Sequence, residues 1–195
     1  MSIDLTGITN KNEYYTNHYF STVFEENAGD TIRGWSAAAK ESEELHTPWS
    51  MLRQNARQYY AAHDRYIRSF SSMQTLTSVR TMADLYLKSL GYPEARPATI
   101  TVDDMVTVPV YLEMTKRNGA PQLWVILTAS CDEGAGIMES SSYDAATIDE
   151  DASGTLYKGA LSDMSNEDLA TKILFGAAEP PRFLMFISMN QIALI

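Results

Sequence analysis

The segment Val106–Ala129, VTVPVYLEMTKRNGAPQLWVILTA, decides the fold that we predict for this 195-residue chain. Two runs rich in β-branched and aromatic residues, Val106–Met114 and Gln122–Ala129, flank Asn118-Gly119, and this arrangement is a strong signal for a β-hairpin. The second run is apolar on both faces, as expected for a central strand that is covered on both sides. Pro109 cannot donate a ladder hydrogen bond, so it places the first strand at an edge or a bulge.

Four helices are predicted upstream of this segment, at about residues 10–24, 31–44, 47–67 and 74–90. Thr47 is expected to cap the third helix, with Pro48 at the first helical position. Gly91 is expected to end the fourth helix as a C-terminal cap. Together with the hairpin, these helices predict an α/β (α+β) chain. A helical N-terminal region would cover residues 1–72, and a small mixed α/β domain would cover residues 73–195.

An acidic loop is predicted over residues 132–164, which are rich in Ser, Gly, Ala, Asp and Glu. A short helix should follow, with Ser165 as its cap and Asp168 as the partner in a capping box. After Pro180-Pro181, the final segment Arg182–Ile195, RFLMFISMNQIALI, predicts a strand, a tight turn and the first half of another strand. Because a domain rarely ends on an unpaired apolar strand, we expect this chain to be a piece of a longer polypeptide.

The net charge of −10 is unevenly distributed. Residues 31–96 hold nine bases and six acids, whereas residues 97–195 hold five bases and fourteen acids. An acidic chain is not typical of a dedicated nucleic-acid binder, so any such contact should lie in the basic middle third. No apolar run reaches the roughly 20 residues of a membrane-spanning helix, and no secretory signal is visible. A single cysteine suits a reducing cytosol, so we expect a cytoplasmic protein with no membrane partner and no structural metal site.

Arginines and interleaved tyrosines on the third predicted helix form a cationic stripe that could follow a phosphate backbone. The arginines are Arg53, Arg57, Arg65 and Arg68. The basic pair at the hairpin turn, Lys116 and Arg117, could also reach phosphate. The alternative in both places is an ordinary solvated surface. The sequence therefore offers six candidate contacts to the backbone of double-stranded DNA.

Several carboxylates lie near the ends of predicted strands, where paired carboxylates can hold Mg²⁺ for phosphodiester hydrolysis. They are Asp103, Asp104, Glu113, Asp132 and Glu133. This chemistry also needs a lysine or a similar group near the attacking water, and the strand QLWVILTAS offers none. Glu113 and Asp132 are the candidate catalytic residues, and the alternative is that all five are ordinary loop acids. Glycine-rich nucleotide loops, serine elbows and His-Glu-x-x-His helices do not occur.

Several stretches share a diffuse pattern with one family. They are ITNKNEYYTNHYF at Ile8–Phe20, the Thr47-Pro48 start of an Arg/Tyr-rich helix, Leu90-Gly91-Tyr92, VPVYLEM, QLWVIL and EPPRFLMFISMNQIALI. Together they resemble the N-terminal region of large bacterial adenine-specific DNA methyltransferases of the type IIG-like restriction–modification and phage-defence class. This resemblance implies a parent enzyme that uses S-adenosylmethionine. The family's cofactor-binding and Asn-Pro-Pro-Tyr-type motifs do not occur here, so we expect no cofactor in this piece.

The element order also resembles the PD-(D/E)XK nuclease fold, in which a helix precedes three strands, a helix and a further strand. Active members carry Glu-x-Lys on the strand that matches Gln122–Ala129, and this chain departs there, so the resemblance implies a degenerate core. We expect a non-catalytic module that docks on the rest of the parent polypeptide or on partner defence-system subunits and contacts DNA. The alternatives are a protein–protein adaptor without DNA contact, a still-active Mg-dependent nuclease domain, and an acidic DNA mimic built on the 132–164 loop.

Overall fold

The computed structural model describes residues 16–42, 46–68, 72–102, 106–128, 136–141 and 164–195. Helices occupy the first part of the chain and two small sheets follow, which confirms the predicted mixed α/β class. By its contacts the chain divides into two compact units, residues 1–53 and residues 54–195. The helix at Pro48–Ile67 contains the boundary between these two units.

The first unit contains one long helix where the sequence predicted two. A π-helical turn at Tyr19–Val23 leads directly into α1, Phe24–Glu41. The predicted interruption after residue 24 is wrong, because the chain offers only Gly29 there, and one glycine costs a helix about 1 kcal/mol without ending it. A Cβ atom at Gly29 would lie 3.1 Å from the guanidinium of Arg33, the end of an exposed side chain that can move aside.

Helix α2, Pro48–Ile67, begins where the sequence predicts. The hydroxyl oxygen of Thr47 accepts a hydrogen bond from the Ser50 backbone N–H at 3.3 Å, which satisfies one of the free donors of the first turn. In the second unit, α2 contributes Ala62 to a hydrophobic core, with Tyr59 and Tyr66 packed against it. This core belongs to α3 and one face of the sheet, so one side of α2 is turned toward the protein interior.

Helix α3 runs from Ser72 to Ser89, and Gly91 caps its C-terminal end, as predicted. Gly91 has a φ of +82°, a conformation that L side chains rarely adopt. The backbone N–H of Tyr92 donates to the Leu87 carbonyl at 2.9 Å, and that of Gly91 donates to Lys88 at 3.1 Å. These two bonds close the last turn in the pattern of a Schellman motif.

The predicted strand Val106–Met114 is divided in two by a bend at Tyr111. Before the bend, β2 (Val106–Val110) pairs antiparallel with β1 (Ala98–Val102) in a two-stranded sheet, so Pro109 lies on an edge strand as expected. After it, β3 (Leu112–Thr115) pairs antiparallel with β4 (Pro121–Leu127), and the Asn118-Gly119 turn joins them. The backbone N–H of Tyr111 donates to the Val125 carbonyl at 2.7 Å, so the bend itself stays attached to β4.

The larger sheet is built around a parallel pair of strands. Strand β4 pairs parallel with β5 (Phe183–Ile187), and β5 pairs antiparallel with β6 (Ile192–Leu194), giving the order β3-β4-β5-β6. Alternate residues of β4 face opposite cores. Leu123, Val125 and Leu127 join α3, whereas Trp124 and Ile126 join the helix α4, Asn166–Gly176, and the β1–β2 hairpin. This two-sided burial confirms that β4 is a central strand.

A buried polar network closes the carboxyl ends of β4 and β5. Asn166, the first residue of α4, is fully buried, and its side-chain amide donates to the Thr128 hydroxyl at 2.7 Å and to the Ile137 carbonyl at 2.6 Å. Gln191 accepts from the Ile137 backbone N–H at 2.8 Å. Ile137 begins a short 3₁₀ turn, Ile137–Glu139, inside the predicted acidic loop. Asn166 follows the cap Ser165, which accepts from the Asp168 N–H at 3.1 Å, as predicted.

The Tyr111 bend is also attached to α3 through its side chain. The hydroxyl of Tyr111 donates to a carboxylate oxygen of Asp84 at 2.7 Å. Desolvation at this contact raises the pKa of the Asp84 carboxyl above its ordinary 3.8, although the residue as a whole stays exposed; the Tyr111 hydrogen bond opposes that rise. The bend therefore has two attachments, one to β4 and one to α3.

We expect Tyr111→Phe to lose about 1 kcal/mol of unfolding free energy at neutral pH, because it removes one partly buried hydrogen bond. Urea denaturation monitored by circular dichroism measures the change. A Tyr111→Phe variant as stable as the parent chain would contradict a structural role for the hydroxyl.

Asp84→Asn is the matched control, because its amide oxygen can still accept from Tyr111 while the desolvated charge is gone. A carboxyl whose pKa is raised on folding stabilises the fold most below pH 3.8 and loses that contribution as the pH rises through its folded pKa. We therefore expect the stability of Asp84→Asn relative to the parent chain to increase across that window. A constant difference over the same window would exclude this linkage.

Candidate functional site

Three arginines share the outward side of α2 in the second unit. Arg57, Arg65 and Arg68 are all exposed, and Arg68 continues the helix by donating its backbone N–H to the Asp64 carbonyl at 3.2 Å. At roughly 100° per residue, the three fall within about 80° of arc, on the side away from the stripe of Tyr59, Ala62 and Tyr66 that meets the core. We call Arg57, Arg65 and Arg68 the arginine face.

The arginine face has the dimensions of a contact to several phosphates. It extends about 16 Å along the helix at roughly 1.5 Å per residue. Tyr60, which is 65% exposed, and Asp64 lie beside it. The Nε–H of Arg65 donates to the Ala61 carbonyl at 3.2 Å, and this hydrogen bond holds the Nε atom of the guanidinium against the helix backbone. Arg53 is exposed as well, but it is the last residue of the first unit.

Lys116 of the hairpin turn lies at the same cleft as Arg182, an arginine that no sequence pattern singled out. A cleft of about 620 Å³ is lined by Lys116 and Asn118 from the turn and by Glu179 and Arg182 from the segment before β5. Arg117 is exposed in the same turn. Arg182 was missed because it follows Lys116 by 66 positions, and only the parallel pairing of β4 with β5 brings the two segments together.

The candidate catalytic carboxylates are not assembled in the described part of the chain. Glu113 lies opposite Trp124 across the β3–β4 pair, and its Oε1 accepts from the indole Nε1–H at 3.0 Å. This contact gives Glu113 a structural role. Asp132 lies outside the described residues, as do Asp103, Asp104 and Glu133. Among the residues that are described, no three His, Cys, Asp or Glu side chains lie close enough together to share a metal ion.

A second cleft lies beside the bend in the strand. It has a volume of about 560 Å³ and is lined by Asp84, Lys88, Glu94, Tyr92 and Tyr111, among others. Burial, and then the neighbouring Asp84 carboxylate, raise the pKa of Tyr111, so its hydroxyl remains a donor at neutral pH and does not act as a base. The sequence gives no signal for this cluster, because Asp84 and Tyr111 are 27 positions apart.

Comparison with protein-family models, with curated proteins and with solved structures finds no match to this chain. None of the helices among the described residues has both the length and the apolarity that crossing a bilayer requires.

Glu113→Ala should destabilise the chain by about 1 kcal/mol, because the indole N–H of Trp124 loses a charged acceptor in a partly buried contact. Trp124 is 2% exposed, so water cannot easily replace that acceptor. Thermal denaturation measures the loss, and the indole N–H resonance of Trp124 should shift.

Glu113→Gln is the matched control, because its side-chain oxygen can still accept from Trp124. We expect it to remain close to the parent chain in stability. Equal losses in both variants, or no loss in either, would exclude the structural role assigned to Glu113.

Proposed function

We propose that this chain is a non-catalytic, nuclease-like module of an S-adenosylmethionine-dependent, adenine-specific DNA methyltransferase of restriction–modification or phage defence. It would dock on the rest of the parent polypeptide or on partner subunits and contact the backbone of double-stranded DNA. The observation that carries the DNA contact is the arginine face. Three guanidinium groups on one outward helix side can each pair with a phosphate, and Arg suits this contact because its planar fork matches phosphate oxygens.

The nuclease-like part of the proposal is supported by the order of elements. The bend at Tyr111 makes β2 and β3 two parts of one bent strand. The helices and strands described from α3 to β5 then follow the order helix, strand, bent strand, strand, helix, strand, and β6 comes after them. That is the order of the PD-(D/E)XK core. The proposal assigns no catalysis to this module, because β4 reads PQLWVIL, without an acid or a lysine, and Glu113 is bonded to Trp124.

A protein–protein adaptor is the second candidate function, and one observation favours it. Strand β6 lies at the edge of its sheet and exposes Ile192 (42%) and Leu194 (61%). An exposed apolar edge strand is a surface on which another chain can add a strand. This candidate predicts that the arginines have no effect on the activity of the full protein.

Replacing Arg57, Arg65 and Arg68 together with Glu should abolish measurable duplex binding. Neutralising them with Gln should reduce the slope of log K against log salt by about 2–3, since each phosphate contact in B-DNA contributes about 0.9. Fluorescence anisotropy with a labelled duplex at several salt concentrations measures both effects.

The control is a triple variant of exposed bases elsewhere, Lys40→Glu, Arg96→Glu and Lys172→Glu, which makes the same change in net charge. If it weakens binding as much as the arginine-face variant, the attraction is not located on α2. If the parent chain does not bind DNA at low salt, the adaptor is the better account.

A further inference from the structure

We propose that the cleft at the tip of the β3–β4 hairpin binds a phosphate-type oxyanion. We call it the hairpin cleft. It opens at the amino ends of β4 and β5, where Pro121 begins one strand and Arg182 precedes the other. Its volume of about 620 Å³ is ample for a phosphate group together with part of the molecule that carries it. The proposal does not depend on the arginine face of α2.

The hairpin cleft gathers basic residues from a part of the sequence that is mostly acidic. Residues 97–195 hold only five lysines and arginines against fourteen acids. Two of those five bases, Lys116 and Arg182, line the cleft, and a third, Arg117, belongs to the same turn. A local positive charge attracts anions over short distances.

Arg182 supplies the geometry that a tetrahedral oxyanion needs. Its guanidinium carbon lies 5.2 Å from the ring centroid of Phe183, a cation–π contact that restricts the rotation of the side chain. A guanidinium held in this way can donate two parallel N–H bonds to two oxygens of one phosphate. Lys116, on the hairpin turn, adds a point charge that has less directional preference.

The backbone around the hairpin cleft is restrained before any ligand arrives. Gly119 has a φ of +85°, and its N–H donates to the Lys116 carbonyl at 2.9 Å, which closes the turn. The Asn118 side chain accepts from the Ala120 N–H at 3.3 Å. Pro121 stands on one wall and Pro180 on the other, and each fixes its own φ. Binding to a restrained site loses little conformational entropy, which favours affinity for a small anion.

Glu179 is the acid of the hairpin cleft and opposes an anion. Because the cleft contains both bases and an acid, the proposal predicts opposite changes in anion affinity for substitutions of the two kinds. Removing a cleft base must weaken anion binding, whereas removing the charge of Glu179 must strengthen it. A cleft that binds through shape alone would not respond in opposite directions to neighbouring substitutions.

The test is a titration of the complete 195-residue chain with inorganic phosphate, followed by ¹H–¹⁵N NMR at constant ionic strength. We expect the shifts to concentrate at the amides of residues 116–120 and of Glu179 and Arg182. Arg182→Ala should weaken binding about tenfold, the scale of one lost bidentate charge-assisted contact. Arg182→Lys should be intermediate, Glu179→Gln should bind more tightly than the parent chain, and Lys172→Ala, on an exposed surface of α4, should have no effect.

Two nucleic-acid arms distinguish the sources of the oxyanion. A duplex with a 5′-phosphate and the same duplex with a 5′-hydroxyl are titrated against the parent chain and Arg182→Ala. If Arg182→Ala weakens binding of the phosphorylated duplex only, the cleft binds a terminal phosphomonoester. If it weakens binding of both duplexes equally, the cleft binds an internal phosphodiester.

The proposal is overturned by either of two results. The first is that inorganic phosphate produces no shifts at the hairpin cleft. The second is that Arg182→Ala and Glu179→Gln bind phosphate as the parent chain does, with an unchanged fold by circular dichroism. Loss of duplex binding in the arginine-face variant, with phosphate binding retained, would separate this site from the proposed DNA contact of α2.

Discussion

The parallel pairing of β4 with β5 is the constraint on which the second unit depends. Five residue pairs, from Leu123 with Phe183 to Leu127 with Ile187, join two segments that are far apart in sequence. Both faces of this pair are covered, one by α3 and the other by α4 with the β1–β2 hairpin. Because a charged group buried without a partner costs several kcal/mol, the centre of the pair is entirely apolar.

This constraint moves the polar chemistry to the periphery of the unit. At the amino ends of the two strands, the chain places the basic hairpin cleft. At their carboxyl ends, Asn166 and Thr128 satisfy each other inside a closed hydrogen-bond network. The chain bends at Tyr111, which remains hydrogen-bonded to β4. Before the bend, β2 pairs with β1 in a second sheet. The arginine face lies on α2, on the side of that helix opposite the core. A nuclease-type catalytic strand would need charged side chains within the apolar pair, and the proposed loss of catalysis follows from that conflict.

Local signals in the sequence were sufficient to predict several of the element ends. Each of these ends is set by residues within one turn of the chain, so a short stretch of sequence is enough to predict it. The residues are Thr47-Pro48, Gly91, Asn118-Gly119 and Ser165. The pairings that make sites are different, because they depend on register and on strands that meet across long separations. Spacing along the sequence does not reveal three of the contacts described above. They are the shared cleft of Lys116 and Arg182, the hydrogen bond from Tyr111 to Asp84, and the hydrogen bond from the Trp124 indole to Glu113. The single helix across Gly29 was missed because one glycine lowers the stability of a helix without ending it.

The central claim is that this module contacts DNA without cutting it. It is tested most directly by incubating the purified chain with supercoiled plasmid in Mg²⁺ or Mn²⁺ at low salt, while retardation and plasmid topology are followed on the same gel. The account predicts retarded plasmid that remains supercoiled at every metal concentration. Nicked or linear plasmid that accumulates with time, and that disappears with Glu113→Gln, would contradict it.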